Sequence, residues 1–186
     1  CLSTPHVSSG TQVFVSPHVG NLDNAGTRLA FEALGQQWPE WRQVRPTALA
    51  CDLHPDFYSS RLAAEWAGQA DLPLISVQHH HAHIAAILAE HRVSEAVVGI
   101  ALDGVGIGTD GTVWGGELLR VDGACFERLG HIRPYLVLDE PYAASAPWAL
   151  AAAVLQWLGR GDEIERRFAK ARKLDSIAEA LRSGAN

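Results

Sequence analysis

Short apolar segments recur along the first part of the chain and predict β-strands. Each is rich in aliphatic or β-branched residues and ends in, or is followed by, a polar residue, glycine or proline. The predicted strands are TQVFVSP (Thr11–Pro17), PTALACD (Pro46–Asp52), LPLISV (Leu72–Val77) and AVVGIALDG (Ala96–Gly104). Because the last three are almost continuously apolar, we expect them to be buried in a sheet.

Apolar residues at helical spacing lie between these strands and predict three helices. The helices are expected from Asn21 or Asp23 to Leu34, from Phe57 to Ala67, and from His79 to about Glu90. Gly35 and Gly68 are expected to end the first two, and Asp56 to cap the second. The order β-α-β-α-β-α-β predicts an α/β fold with a parallel or mixed β-sheet flanked by helices.

The pattern changes near Ser94, where we expect a lobe boundary between residues 1–93 and 94–186. A glycine-rich turn, Gly104–Thr112, is followed by two predicted antiparallel strands joined through Asp122 and Gly123. These strands are Val113–Val121 and Phe126–Arg133, and the predicted helices beyond them are Ala146–Leu158, Glu163–Ala171 and Ser176–Leu181.

Composition and charge narrow the class of protein. The 186 residues are 47% hydrophobic and 19% charged, which suits a globular domain with a buried core. The net charge of -6 without a basic block disfavours a nucleic-acid partner, and no apolar run reaches the roughly 18 residues that cross a membrane. Three cysteines without CxxC spacing favour a reducing compartment and predict a cytoplasmic protein. A chain that begins at Cys1 and lacks methionine is expected to be a fragment.

Four histidines crowd into the stretch VQHHHAHIAA (Val77–Ala86), where a predicted strand gives way to a predicted helix. His79 and His83, four residues apart, share one helix face and can reach one cation; His80 and His83, three apart, can do the same. Neutral imidazole suits zinc or iron, and two histidines need a carboxylate to complete such a site. The alternative is a set of histidines that cap the helix.

The stretch LDGVGIGTDG (Leu102–Gly111) predicts a second site element. Asp103 ends a predicted strand, so Asp103 or Asp110 can touch a metal ion or a polarised water. A glycine-rich backbone approaches a ligand closely and offers amide donors to phosphate, although a plain hairpin looks similar. The predicted phosphate-binding residues are Gly104, Gly106, Gly108, Asp110 and Gly111.

A third polar cluster, Asp52, His54 and Asp56, also follows a predicted buried strand. In open α/β sheets ligands bind at the carboxyl ends of the strands, so Asp52 and His54 are expected to line the same cleft as the histidines. Glu117, in the sequence WGGE, is expected to face that cleft or solvent.

The segments CDLHPDFYSSRLA, VQHHHAHIAA and ALDGVGIGTDGTVWGGE, in this order and spacing, closely resemble the Kae1-like domain of the HypF carbamoyltransferases. The upstream segment SPHVGNLDNAGT (Ser16–Thr27) is similar to that family too, and the resemblance runs from Val13 to about Leu158. It implies a partial actin/Hsp70/sugar-kinase-like (ASKHA) domain with two lobes around a nucleotide cleft. Residues 1–93 would then be the first-lobe part and 94–186 the start of the second lobe.

The resemblance also implies an activity. Carbamoyl phosphate and ATP would yield carbamoyl adenylate, and the carbamoyl group would pass to the C-terminal cysteine of a HypE-type partner. The product leads to the cyanide ligand of [NiFe]-hydrogenase. A divalent metal, iron or zinc, would be held by His79, His83 and Asp103, with Asp103 also catalytic. The resemblance thus favours the 79/83 pair, which spacing alone does not choose.

Some features depart from the family pattern. The family's zinc-finger modules, its carbamoyl-adenylate-forming domain and the later part of the second lobe are absent from the sequence, and Ala146 stands where the family usually has an arginine. We therefore expect the isolated chain to be inactive. The alternatives are an O-carbamoyltransferase or a tRNA threonylcarbamoyltransferase relative, a metal-dependent hydrolase with Glu117 or Asp52 as its base, and a noncatalytic metal- or nucleotide-binding module.

Overall fold

A computed structural model of the chain describes residues 3–133, 147–171 and 174–183; Cys1 and Ala146 therefore lie outside the described residues. The chain forms two compact units. The first comprises Cys1–Glu95 and Gly106–Val113, and the second comprises Ala96–Val105 and Trp114–Asn186. The division into first-lobe and second-lobe parts stays a prediction.

The first unit contains two small sheets and three helices. Its elements in chain order are β1 (His6–Ser9), β2 (Gln12–Val15), α1 (Ala25–Trp41), β3 (Leu49–Asp52), α2 (Tyr58–Ala70), β4 (Leu74–Val77) and α3 (His79–His91). Strands β1 and β2 pair antiparallel, whereas β3 and β4 pair parallel. Strand β1 was not predicted, because its sequence HVSS is mostly polar and exposed.

Helix α1 begins and ends later than its sequence predicts. The side chain of Asn24, not of Asn21 or Asp23, caps it by accepting from the backbone N–H groups of Gly26 and Thr27. The prediction that Gly35 ends the helix is wrong. A Cβ at Gly35 would lie 2.6 Å from the Trp66 ring, so glycine is required there for helix packing.

Helix α2 also departs from its prediction at both ends. Gly68 lies inside the helix, which ends at Asp71 in the left-handed conformation with φ of 52°. The prediction that Asp56 caps the helix is wrong, because Phe57 occupies the N-cap position and no side chain makes a capping hydrogen bond there.

The parallel pairing of β3 with β4 brings the candidate site together. Asp52 pairs with Val77 in the strand register, and the Leu53 amide extends the pairing by donating to the Val77 carbonyl at 2.9 Å. Because parallel strands end at the same edge, Asp52 lies beside the start of α3, where the histidines begin.

The second unit combines a three-stranded sheet with short helices. Its elements are β5 (Val97–Ile107), β6 (Val113–Asp122), β7 (Cys125–His131), α4 (Pro147–Trp157), a 3-10 turn (Gly161–Glu163), α5 (Ile164–Arg167) and α6 (Leu174–Ser183). The strand order is β5-β6-β7, with β6 and β7 antiparallel and Gly123 turning between them at φ of 58°. The prediction that the glycine-rich turn begins at Gly104 is wrong, because strand β5 continues to Ile107. The residues of β5 are divided between the two units.

A helical core stabilises the second unit. It is built from small and aliphatic side chains on α4, α5 and α6, with Trp148, Leu155 and Phe168 packed against it. Its buried members are Ala149, Ala152, Ala153, Ile164, Ile177, Ala178 and Leu181. The predicted helix Glu163–Ala171 is shorter than expected, as only Ile164–Arg167 is α-helical. Among the described residues, no helix is long and apolar enough to cross a membrane.

Candidate metal centre

His79 and His83 face each other across the first turn of α3. Their Nε2 atoms are 3.2 Å apart, and the two rings are nearly perpendicular, at 86°. One turn of helix separates the residues, so both imidazoles project from one face. The structure therefore brings together His79 and His83, the two histidines that are four positions apart in the sequence.

His80 points elsewhere and does not join this pair. It is fully buried, and its Nδ1 atom lies 3.0 Å from Nε2 of Gln78. Its ring lies against Gly106, where a Cβ would be 2.8 Å from Cε1 of His80 and 2.9 Å from Cβ of His79. Gly106 is therefore a close-approach position, since any side chain there would displace the start of α3.

The Asp52 carboxylate orients His79. Its Oδ2 atom lies 2.6 Å from His79 Nδ1, and its Oδ1 atom accepts from the His54 backbone N–H at 2.8 Å. Burial raises the pKa of Asp52, but the hydrogen bonds from His79 and His54 outweigh it and lower the pKa below its ordinary value. An ionised Asp52 accepts a hydrogen bond from Nδ1–H, which leaves Nε2 as the lone-pair nitrogen of His79.

Gln78 connects the start of α3 to the neighbouring backbone. Its Oε1 accepts from the His81 N–H at 2.8 Å and caps the helix, while its Nε2 donates to the Ile107 carbonyl at 3.2 Å. Sequence reasoning missed this residue because glutamine is not a usual helix cap. Its position just before the predicted helix was the signal available.

The glycine-rich turn is held by its own hydrogen bonds. The Gly108 amide donates to the Thr112 carbonyl at 2.8 Å and the Gly111 amide to the Gly108 carbonyl at 3.0 Å. Asp110 Oδ1 accepts from both the backbone amide and the hydroxyl of Thr112. A phosphate at Gly108 or Gly111 would have to replace these bonds, and the phosphate role predicted for Gly104, Gly106, Gly108, Asp110 and Gly111 stays a prediction.

The spacing of the two imidazoles fits a bound cation. Two nitrogens at about 2.05 Å from a tetrahedral zinc lie about 3.3 Å apart, close to the 3.2 Å between the Nε2 atoms. Asp103, on β5 in the second unit, is exposed and its Oδ1 accepts from the Gly104 amide at 2.7 Å. Each of His79, His83 and Asp103 offers one ligand atom of a type that zinc or iron accepts.

Two parts of the chain match described protein families. Residues 2–90 match the HypF Kae1-like domain, and residues 99–186 match the carbamoyltransferase Kae1-like domain, second subdomain. The chain belongs to the HypF carbamoyltransferase family. The HypF resemblance carried by the three sequence segments is thereby confirmed.

A curated HypF relative extends this result. Carbamoyltransferase HypF2 of Cupriavidus necator is 51% identical over 166 residues, which is 89% of this chain and 21% of the relative. The chain thus spans about a fifth of the length of that relative.

Solved HypF structures share the fold. Full-length HypF in a phosphate- and nucleotide-bound form gives a TM-score of 0.80 at 33% identity, over 99% of this chain and 24% of that one. HypF of T. kodakarensis gives 0.78 at 32% identity, over 98% and 26%. The predicted class, a mixed α/β domain of partial actin/Hsp70/sugar-kinase type, is confirmed.

Glu117 has a structural role in the second unit. Its side chain is 1% exposed, and both of its oxygens accept from Arg128, at 2.6 and 2.9 Å. Oε1 also accepts from the Gly115 amide at 3.0 Å. A carboxylate so engaged is poorly suited to act as a general base, which argues against the hydrolase interpretation that relied on Glu117.

Proposed function

We propose that the complete enzyme to which these residues belong is a cytoplasmic carbamoyltransferase acting on a HypE-type protein. It would use carbamoyl phosphate and ATP to form carbamoyl adenylate, and transfer the carbamoyl group to the partner's C-terminal cysteine. The observation that carries the proposal is the pair of Nε2 atoms of His79 and His83, 3.2 Å apart and oriented by Asp52, in a chain of the HypF family.

In this proposal His79, His83 and Asp103 hold one divalent cation, iron or zinc. A cation held there would stabilise negative charge on the carbamoyl and phosphate oxygens during transfer. The chain's own contribution is to fix two imidazoles at ligand distance, and Asp103 adds a carboxylate that offsets part of the cation's charge. Asp103 would thus act both as ligand and as a catalytic residue.

The transfer step needs no nucleophile from this chain. The partner's cysteine thiolate would attack the carbamoyl carbon, so that a carbon–sulfur bond forms and the carbon–oxygen bond to the adenylate phosphate breaks. AMP leaves with the electron pair, and the proton of the thiol is released when the thiolate forms. Both described cysteines are free thiols outside the histidine cluster, with Cys51 within β3 and Cys125 exposed at the start of β7.

The glycine-rich turn would contact the phosphate side of the substrate. The phosphate- and nucleotide-bound state of a solved HypF relative supports a role for both ligands in the family. An incoming phosphate oxygen would take over an amide from the turn at Gly108 or Gly111, whose present acceptors are backbone carbonyls. We propose further that the isolated 186-residue chain does not catalyse transfer.

The first prediction tests His83, an exposed member of the proposed set of metal ligands. His83→Ala in the complete enzyme is expected to abolish carbamoylation of the partner cysteine while carbamoyl adenylate still forms, because we place adenylate synthesis in another domain. Partner modification is measured by intact mass, and adenylate formation by ATP–pyrophosphate exchange. His91→Ala, which removes an imidazole from the last turn of the same helix, is the matched control and should retain transfer.

Unimpaired transfer by the His83→Ala enzyme would exclude the proposed cation site. Loss of both activities would assign His83 to the adenylate-forming step instead. If the wild-type complete enzyme binds metal and nucleotide but modifies no partner, the chain belongs to a noncatalytic binding module.

A further inference from the structure

We propose that Asp52 is a positioning residue that fixes which nitrogen of His79 meets the cation. By accepting a hydrogen bond from Nδ1–H it would hold His79 as the tautomer whose Nε2 lone pair faces His83. This inference rests on the proposed function, because the cation is part of that proposal.

Asp52 is held in place by two hydrogen bonds besides the one to His79, and by its position in β3. Its Oδ1 accepts from the backbone amide of His54 at 2.8 Å, and its backbone carbonyl accepts from the Ser60 hydroxyl at 3.1 Å. Asp52 also lies at the end of β3, opposite Val77 of β4, where the next amide, that of Leu53, donates to the Val77 carbonyl. The carboxylate therefore has little freedom to turn away from the imidazole.

The contact with His79 has the geometry of a short, charge-assisted hydrogen bond. Oδ2 lies 2.6 Å from Nδ1, and the two side chains are 17% and 20% exposed, respectively. On the opposite side of the ring, Nε2 lies 3.2 Å from the Nε2 atom of His83. One nitrogen of His79 is thus engaged by the carboxylate and the other is directed at the second candidate ligand.

The two carboxylate oxygens serve two separate donors, which makes aspartate specific at this position. Because the His54 amide lies at Oδ1 and His79 Nδ1 lies at Oδ2, the single carbonyl oxygen of the asparagine in Asp52→Asn can take the place of one of these oxygens but not of both. If the oxygen stays with the fixed His54 amide, the new NH2 group faces His79 Nδ1 and favours the tautomer protonated at Nε2. That tautomer cannot donate a lone pair to a cation at Nε2.

The test compares wild-type protein with Asp52→Asn by two measurements. The His79 tautomer is read from ring-nitrogen NMR shifts of the metal-free protein at about pH 8, where an ordinary imidazole is neutral. Zinc affinity is measured by competition with a chromophoric chelator. Loss of an outer carboxylate partner typically weakens metal binding by about 10–100-fold.

Asp56→Asn is the matched control, because it removes an exposed carboxylate from the same loop. We expect a proton on Nδ1 of wild-type His79, a shift toward Nε2 in Asp52→Asn, and zinc binding about 10–100-fold weaker in that variant alone. Circular dichroism checks that each variant is folded. If Asp52→Asn does not fold, the inference is decided by whether the NMR shifts of the wild-type protein place the proton on Nδ1 or on Nε2 of His79.

Either of two results would overturn the inference: a proton on Nε2 in wild-type His79, or unchanged tautomer and zinc affinity in folded Asp52→Asn. Failure of the proposed function looks different. If wild-type protein binds no zinc or iron while the tautomer still depends on Asp52, the cation is lost from the proposal but the positioning of the ring by Asp52 stands.

Discussion

Each unit contains a carboxylate that is hydrogen-bonded to a nitrogen-containing side chain, but the two pairs have different roles. In the second unit, both oxygens of buried Glu117 accept from the Arg128 guanidinium, which also stacks on Trp114 at 4.1 Å. In the first unit, Asp52 accepts one hydrogen bond from Nδ1 of His79. The other ring nitrogen of His79, Nε2, is directed toward His83.

In one pair the carboxylate balances a charge, and in the other it orients a candidate metal ligand. The Arg128 guanidinium supplies the positive charge that the buried Glu117 carboxylate requires, so this pair offsets the cost of burying a charge. Histidine can be neutral and keep a lone pair, so the contact with Asp52 orients a ligand rather than cancelling a charge. We therefore expect the Glu117–Arg128 pair to matter for stability and the Asp52–His79 pair to matter for ligand binding.

The largest effect on stability is expected from Arg128→Met. The substitution leaves Glu117 buried without its cationic partner, which typically costs about 3–5 kcal/mol. The free energy of unfolding, measured with urea, should fall by this amount. Arg120→Met is the control, because Arg120 pairs with Asp122 at 3.4 Å between exposed side chains and such pairs contribute about 0–1 kcal/mol. Equal losses in the two variants would contradict the distinction between them.

A smaller loss of stability is expected from Gly106→Ala. The added Cβ would meet the fully buried His80 ring at 2.8 Å and Cβ of His79 at 2.9 Å, and overpacking of this kind costs about 1–3 kcal/mol. Because the start of α3 must shift, zinc affinity should weaken as well. Gly130→Ala, where nothing lies within 4 Å of the added Cβ, should change stability by less than about 0.5 kcal/mol. Zinc binding equal to wild type in Gly106→Ala would show that the close approach does not position the histidines.

The smallest effect is expected at an exposed cluster of charges in the second unit. Hydrogen bonds from Arg160 and then Arg167 lower the pKa of Glu163 from 4.5 to about 2. A lowered pKa stabilises the folded state above about pH 4.5, and this contribution is lost as the pH falls toward 2. Glu163→Gln should therefore lower the Tm slightly at neutral pH, with the difference from wild type shrinking between pH 4.5 and 2. A difference that stays constant over this range would place its origin outside the titration of Glu163.

Much of the fold was predictable because strands and helices leave periodic apolar patterns. The three strands before and after the histidines, and helix α3, lie close to their predicted positions, but the prediction that the strands are buried is wrong for β4 and β5, most of whose residues are exposed. The helix ends were not predictable from glycine alone. Gly35 serves the packing of Trp66 rather than a helix end, and such a contact between two helices leaves no local signal.

The candidate site was predictable in its parts and less so in its connections. The sequence placed Asp52 and the histidines at the ends of neighbouring strands. Spacing alone left His79 and His80 equivalent and only the family resemblance favoured His79, whereas in the structure His80 is fully buried. That Asp52 bonds to His79 depends on the register of β3 with β4, which links residues 27 positions apart. Spacing along the chain contains no information on that register.

Strand register also determines which changes in length this region can tolerate. Insertions or deletions at the polar turn around Asp71 would leave Asp52 opposite Val77, as long as the two strands still pair in the same way. Deleting one residue inside Leu49–Asp52 would instead move the carboxylate by about 3.3 Å and turn it to the other face of the sheet. In an alignment of distant relatives, gaps should therefore cluster in the turns and spare the strand that ends at Asp52.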